Sequence, residues 1–493
     1  MRRFTPPALL ALALAGCTTG PDYAGPPPAA PNAAAGGAFR RAGDGLTTAE
    51  PVLARWWEAL GDPTLNALEA RALAANPDIA VASARLRQAR AEFRTQRANR
   101  LPNVNASALY AHARVPGLDL GSEEEGGGGG GGTSSLNVYN LGFDSSWEVD
   151  LFGGTARAIE AARAGADAAE ARLADAQVSL TASVAEAYLN LRDRQARFAL
   201  NQAIIARQEQ ALALTRQRLA AGTVTQAEVE RLVQALDGSR ADITPLRAQR
   251  DSYLDLLATL TGTEPGVEDA ALGTVQPVPL PPEQVAIGDP AALLQRRPDI
   301  RAAERTLAAD TARIGQARAA RFPRLSFMGI VGIGGSRLTD LTKLDDLAAI
   351  AAPQLSWGFL DFGRNRARIT KAEAVRDESE ARYRGAVLTA LRDAEGALSR
   401  FGASRVTLAS LARAERSAGA VASLARQRYA AGTGTLIEQL EAEQRQMQAE
   451  QALIQARANL TLSYVAIAKA LGLGWDRMDA GGVPAGDQAA KMR

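Results

Sequence analysis

Apolar residues along this chain follow two alternating spacings, and the order of those spacings occurs twice. From Val104 they fall on every second position (Val104, Ala106, Ala108, Tyr110), and again at Leu141, Phe143, Trp147, Val149 and Leu151, with Ser145 interposed. The same alternation returns at Leu325, Phe327, Gly329, Val331 and Ile333, and then at Leu355, Trp357 and Phe359. A period of two with aromatics near the ends predicts strands with one apolar face. After the first strand pair the spacing lengthens to seven, through Val184, Leu191, Phe198, Ile205, Leu212 and Leu219, as in a coiled-coil seam. This predicts a long helix from Thr155 to Ala220 and a second from Asn365 to Ala430, where Glu415 and Ala422 weaken the seam. Each would be about 100 Å long at 1.5 Å per residue, three times a bilayer core.

The two halves are copies. Pro77 and Pro102 bracket an Ala/Arg-rich run, as do Pro298 and Pro323, at an offset of 221. Proline is accepted in a helix's first turn and stops one from continuing, so these are matched helix limits. Further on, Trp147 matches Trp357, and "RLAAGT" from Arg218 matches "RYAAGT" from Arg428, both at an offset of 210. The halves therefore differ in length in one place, between the second proline and the tryptophan. The low-complexity run "GSEEEGGGGGGGT" lies there; Gly126 to Gly132 cannot pack a core and read as a solvated loop tip. Each copy is thus helix, β-hairpin, very long helix, break, helix. The breaks carry Gly222 and Gly432, which can take the left-handed conformation that ends a helix.

Lys plus Arg (56) nearly balances Asp plus Glu (54), so no basic field suggests nucleic acid. One His and one Cys exclude a metal site built on several such ligands. No P-loop, Ser/His/Asp set or Cys/His cluster is found, so the protein is not expected to be an enzyme or to use a cofactor. Cys17 follows a positive start and a short apolar run, too short to span a membrane. The sequence Leu14-Ala15-Gly16-Cys17 resembles the bacterial lipobox, which implies a covalent lipid on Cys17. Thr18 in place of Asp favours the outer membrane by the rule for such lipoproteins. The expected organisation is a lipoprotein signal peptide (1–16), a lipid-anchored tether (17–55), a first repeat (56–262), a linker (263–284), a second repeat (285–474) and a disordered tail (475–493).

No later stretch is apolar enough to cross a bilayer as a helix, so any crossing must use strands. Four strands cannot close: an edge facing lipid leaves backbone groups unsatisfied, and closed barrels begin at eight strands. Several chains must combine, two giving eight strands and three giving twelve; only the larger leaves room for water. A periplasmic scaffolding rod that never forms a pore is the alternative for the helices, but it does not account for the strand pairs.

Three segments carry a family resemblance: "CTTGPDYAGP" (Cys17 to Pro26), "WWEALGDPTLNALEARALAANPDIAVASARLRQAR" (Trp56 to Arg90) and "RRPDI" (Arg296 to Ile300). They resemble the lipoprotein branch of the TolC-like outer membrane efflux proteins, the OprM/NodT type, in the family's order and over essentially the whole mature chain. The resemblance implies a mainly α fold with a small β part. It implies a homotrimer whose four strands per chain form a twelve-stranded transmembrane β-barrel in outer membrane lipid, continued by a long-helix α-barrel tunnel. Such a protein is the passive exit duct of a tripartite, RND-type pump, working with a periplasmic adaptor (a membrane fusion protein) and an inner-membrane efflux transporter. The lipobox and the "GPDY" and "WW" motifs favour export of small molecules such as drugs over type I protein secretion.

By the same resemblance the two breaks are hairpin tips where the adaptor docks: Ala221, Gly222 and Thr223, and Ala431, Gly432 and Thr433. Simple helix caps would be compatible with that role. Relatives place a Leu, an Asp and an Arg facing the pore just beyond the second break. Aligned on Gly432, these fall on Ile437, Glu441 and Gln444, on one helical face. This chain departs at Gln444, where the arginine is missing, although Arg445 follows. Glu438 and its repeat partner Glu228 offer further carboxylates near the mouth. An apolar constriction with a carboxylate ring would gate by dewetting and cation binding.

Overall fold

The computed structural model describes residues 18–116, 133–342, 345 and 347–476. The lipidation candidate Cys17, the run Gly126 to Gly132 and the tail from 477 lie outside the described residues. Eight principal helices carry the duplication: α1 (Pro63–Ala75), α2 (Pro77–Ala98), α3 (Gly154–Ala220) and α4 (Gln226–Leu260), then α5 (Pro290–Arg296), α6 (Pro298–Ala319), α7 (Arg364–Ala430) and α8 (Leu436–Ala470). Between α2 and α3 run β1 (Asn103–Pro116) and β2 (Thr133–Val149); between α6 and α7 run β3 (Arg324–Gly335) and β4 (Leu347–Ser356). Three of the four helix pairs match in length, while α1 and α5 have 13 and 7 residues. Helices α2 and α6 have 22 residues each, α3 and α7 have 67, and α4 and α8 have 35. The long helices each begin one residue before the expected Thr155 and Asn365. No described helix is long and apolar enough to cross a membrane.

The described residues of Met1–Pro27, Arg87–Asp167 and Glu304–Ala381 form one unit. Its sheet runs β1-β2-β3-β4, every neighbouring pair antiparallel. Because side chains alternate along a strand, the registers sort the sheet into two faces. On one lie Val104, Ala106, Ala108 and Tyr110, opposite Ser145, Phe143, Leu141 and Tyr139. Phe143, Leu141 and Trp147 in turn oppose Val331, Ile333 and Phe327, and Leu325 opposes Leu355. This apolar face is open: Phe143 is 60% exposed and Leu355 69%. The other face carries Asn103, Asn105, Asp144, Ser146, Arg324, Ser326 and Gln354, with Leu109, Met328 and Ile350 among them. There the Asn105 amide donates to Asp144 at 3.1 Å. Trp357 and Phe359, expected within the last strand, lie beyond its end at Ser356. Trp357 instead donates its indole N–H to the Arg321 carbonyl at 3.0 Å, as Trp147 does to Arg100 at 2.9 Å. In both copies this bond ties a strand end to the residue two before the proline that opens the hairpin.

The segment expected to be a loose tether is packed. The Thr19 hydroxyl and amide both donate to the Phe152 carbonyl, at 3.0 and 3.1 Å. Buried Arg157 donates to Asp22 at 2.5 Å, to Glu160 at 2.7 Å and to the Thr19 carbonyl at 3.3 Å. Gly20 lies so close to α6 that a Cβ placed on it would stand 2.3 Å from the Gly315 Cα. The Pro/Gly-rich composition suggested flexibility, but side chains from α3 bind the extended backbone. Arg157→Met is therefore expected to free the segment, speeding chymotryptic cleavage after Tyr23 by about tenfold, as loss of roughly 1.5 kcal/mol of charged hydrogen bonding would. An unchanged cleavage rate would show that Arg157 does not hold it.

The second unit comprises the described residues of Pro28–Leu86, Ala168–Ala303 and Arg382–Arg493. Its core gathers Trp56, Trp57, Leu65 and Leu68 with Tyr188 and Leu191 of α3, Leu257 of α4, Phe401 of α7 and Val465 of α8. The rest of the expected tether joins it. Phe39 is buried in the core, and Leu46–Thr47 pairs in parallel with Val285–Ala286. The expected tail also begins too early, because Trp475 is buried against Ala174 and Val178. Tyr188 donates to Asp62 at 2.6 Å, and burial with that bond pushes its hydroxyl up to about 12. Several charged side chains are buried in this unit, and Arg192, Asp193 and Glu268 each have a partner there. Glu69 of α1 is fully buried, and neither carboxylate oxygen finds a hydrogen-bond partner among the described residues. Burial pushes its carboxyl well above the ordinary carboxylate range.

Helices α4 and α8 both end at left-handed glycines, Gly262 and Gly472. Beside them the copies use different residues for one task. The Asn76 amide donates to the Leu260 carbonyl at 3.0 Å, and the Arg297 guanidinium donates to the Ala470 carbonyl at 2.6 Å. Each bond satisfies a carbonyl that the helix end leaves without a partner.

Candidate functional site

The two Ala-Ala-Gly-Thr breaks are hairpin tips built to one plan within the second unit. In the first, Gly222 stands at φ +72; its N–H donates to the Leu219 carbonyl at 2.9 Å, and the Thr223 N–H donates to Arg218 at 3.0 Å. In the second, Gly432 is also at φ +72, with Gly432 to Tyr429 at 3.0 Å and Thr433 to Arg428 at 2.9 Å. These paired bonds are the Schellman closure, which needs a left-handed residue and so selects glycine. The threonine hydroxyls reinforce it, donating to the Arg218 and Arg428 carbonyls at 3.0 and 3.2 Å. Ala221, Gly222, Thr223, Ala431, Gly432 and Thr433 are all exposed, and a Cβ on either glycine would meet nothing within 4 Å. Beyond the cap requirement, the tips are an open surface.

The helices that follow start with capping boxes. The Glu228 carboxylate accepts from the Thr225 N–H at 2.8 Å, and the Glu438 carboxylate from the Thr435 N–H at 3.2 Å. Both glutamates close the start of a helix, and that is the role their contacts give them. An acidic group in a first turn also meets the positive end of the helix dipole.

Of the three aligned positions on α8, Ile437 is half-buried, whereas Glu441 and Gln444 are exposed. Arg445 reaches back one turn to Glu441 at 3.7 Å, so the arginine one position late partners the expected acidic residue. Both side chains are well exposed, and such a pair contributes about 0.5 kcal/mol or less. It orients the carboxylate more than it stabilises the helix.

A further contact joins the two hairpins. The Arg218 guanidinium lies 5.4 Å from the centroid of the Tyr429 ring. Its repeat mate Arg428 turns instead to its own tip and donates to the Thr433 carbonyl at 3.3 Å. The sequence held the signal for this asymmetry: "RLAAGT" and "RYAAGT" differ by one aromatic, and only the tyrosine offers a π face to a cation. Above the first tip, Leu212, Val229 and Leu236 form a small buried cluster that zips α3 to α4. Arg426 and Glu443 bridge α7 and α8 at 3.4 Å. The tips are thus braced from above and open at their ends.

The sequence model of the family described as "Outer membrane efflux protein" matches residues 68–263 and 290–473, one match in each repeat. Outer membrane protein OprJ of Pseudomonas aeruginosa is 31% identical over 476 residues, covering 95% of each chain. The toluene efflux pump outer membrane protein TtgI of Pseudomonas putida is 31% identical over 486 residues, covering 95% of this chain and 98% of its own. Among solved structures, the outer-membrane channel OprN superposes with a TM-score of 0.80 at 36% identity, over 93% of this chain and all of that one. With the duplicated helices, the two-faced sheet and the paired tips in place, these matches establish that the chain belongs to the outer membrane efflux protein family, as a Gram-negative outer membrane channel component of an efflux system that extends into the periplasm.

Proposed function

We propose that three copies of this chain form the passive exit duct of a tripartite, RND-type efflux pump. In this reading the four-stranded sheets complete a twelve-stranded barrel, and the hairpin tips dock a periplasmic adaptor that links the duct to an inner-membrane transporter. Cys17 carries a covalent lipid, and the protein uses no cofactor and catalyses no reaction. The observation that carries the reading is the sheet: an open apolar face, a mainly polar opposite face and two strand edges that a lipid environment would leave unsatisfied. The relative named for toluene efflux supports small molecules as cargo. The braced tips with open ends support a closable mouth, with Ile437 and Glu441 on one helical face beside the second tip.

The test is electrical. Purified protein in planar bilayers should give discrete, cation-sensitive conductance steps; a scaffolding rod would give none. Glu441→Ala should raise the conductance of the closed channel about twofold or more and weaken block by divalent cations, since it removes a carboxylate from the constriction. Wild-type conductance with wild-type block would remove Glu441 from the gate and leave the duct reading standing.

A further inference from the structure

Where the sheet of the first unit meets its helices there is a cavity of about 270 Å³. Its walls come from the last turn of α2, the end of β2 with the turn into α3, the end of α6 and the start of β3. Phe152 forms part of one wall and is fixed there by its stack on Phe322, with ring centroids 4.5 Å apart and planes 14° apart. Glu148 and Arg324 line the cavity from the polar face of the sheet, since Glu148 stands opposite Ser326 and alternate residues share a face.

The polar groups around this cavity are not matched to one another. Arg324 is the diagonal neighbour of Glu148 across the β2–β3 seam, roughly 7–8 Å away by strand geometry. Neither side chain has a hydrogen bond or an ion pair among the described residues. Asp150 would stand opposite Arg324 if β2 continued, but β2 ends at Val149. The Asp150 carboxylate turns instead to cap α3, accepting from the Thr155 and Ala156 N–H groups at 3.1 and 2.7 Å. The Gln316 side-chain amide, also on the cavity, has no partner among the described residues. Asn99 donates to Gln96 at 3.3 Å, which leaves its own carbonyl oxygen available. The scaffold does not require the two charges, because the repeat mates of Glu148 and Arg324, at offsets of 210 and 221, are Gly358 and Asn103.

We propose that this cavity binds small zwitterions of amino-acid size. The guest's ammonium group meets Glu148, its carboxylate meets Arg324, and its other polar atoms meet the Asn99 and Gln316 amides. A guest that bears both charges satisfies both groups, whereas a guest of one sign satisfies one and is repelled by the other. The volume equals that of roughly nine waters at ~30 Å³ each, which suits a solute of about ten non-hydrogen atoms. Glu148 and Arg324 are both exposed, so binding is reversible and weakened by salt. The proposal rests on the duct reading for its setting: there the polar face lines the channel, and the site lies on the route of exported molecules.

Saturation-transfer NMR on the full-length protein in detergent tests this, with L-glutamine as the probe. N-acetyl-L-glutamine lacks the ammonium group, and L-glutaminamide lacks the carboxylate. Wild type should bind glutamine at least about fivefold more tightly than either analogue, as the loss of one charged hydrogen bond at an exposed site implies. Glu148→Gln should abolish the discrimination against the acetylated probe, and Arg324→Gln that against glutaminamide, each leaving the other preference in place. Equal affinity of wild type for all three probes, or discrimination that survives both substitutions, overturns the site. Planar-bilayer recordings on the same preparation keep the two readings apart. Conductance steps without probe discrimination overturn the site and leave the duct reading standing. Discrimination without steps supports the site and overturns the duct.

Discussion

Glu69→Leu is expected to stabilise the protein at neutral pH by about 1–3 kcal/mol, the cost of a buried polar group without a partner. Glu69 is fully buried on α1, and both its oxygens lack partners among the described residues. Burial raises its carboxyl above the ordinary range, so the folded state holds a proton that the unfolded chain releases near pH 4.3. The folded state then binds more protons, and the linkage relation makes stability fall as pH rises. This group's contribution is fully present below the unfolded value and is lost as pH climbs through the raised folded one. Denaturant melts of the detergent-solubilised protein at several pH values would show this. Wild type should weaken with rising pH across that window, and Glu69→Leu should be flatter there and more stable above it. Glu69→Gln should flatten the profile while gaining less, since an amide in that place is still unsatisfied. Identical profiles for wild type and both variants would mean that the carboxyl has found a partner, and would end the assignment.

The second large effect comes from comparing two glycines that share a conformation. Gly222 and Gly262 stand at φ +72 and +73, each closing a helix. Alanine at Gly222 would meet open space, so it should cost only the left-handed penalty of about 1 kcal/mol. At Gly262 the added Cβ would stand 2.5 Å from the Ala75 carbonyl oxygen and 3.1 Å from its carbon. That atom is backbone, and the next residue, Asn76, donates to the Leu260 carbonyl, so relief by a small shift would break a second contact. Gly262→Ala should therefore cost about 3 kcal/mol or more, the range of overpacking added to strain. Equal losses in parallel melts would show that conformation alone sets the cost.

The parts of this fold that could be read in the sequence were those with a period. Two-residue alternation gave the strands, and paired prolines and glycines gave the helix limits, because backbone geometry is enforced locally and was written twice. Contacts between segments distant in the sequence had no such signature. Nothing in "CTTGPDYAGP" reports that Arg157, more than a hundred residues on, donates to its backbone. Trp475 looked like the start of a tail because its partners Ala174 and Val178 lie three hundred residues earlier. Glu69 falls on the same helical stripe as Leu65, Leu68 and Ala72, so its spacing pointed inward while its charge argued for the surface, and only packing shows that it is buried without a partner. At the tips, alignment on Gly432 placed the candidate positions, but Arg445 pairing with Glu441 depended on a side chain reaching back one turn.

The equal lengths of the long helices α3 and α7, 67 residues each, have a consequence of their own. One residue added to α3 would carry everything beyond it forward by about 1.5 Å and around by about 100°. Its tip would then stand out of step with that of α7, and the contact between Arg218 and Tyr429 would be lost. The 11-residue mismatch between the copies lies instead between Pro102 and Trp147, across the strand hairpin, where extra chain displaces neither helix. The helices act as a matched pair of rulers: their length can change only if it changes in both copies at once, whereas the strand hairpin is free to grow in one.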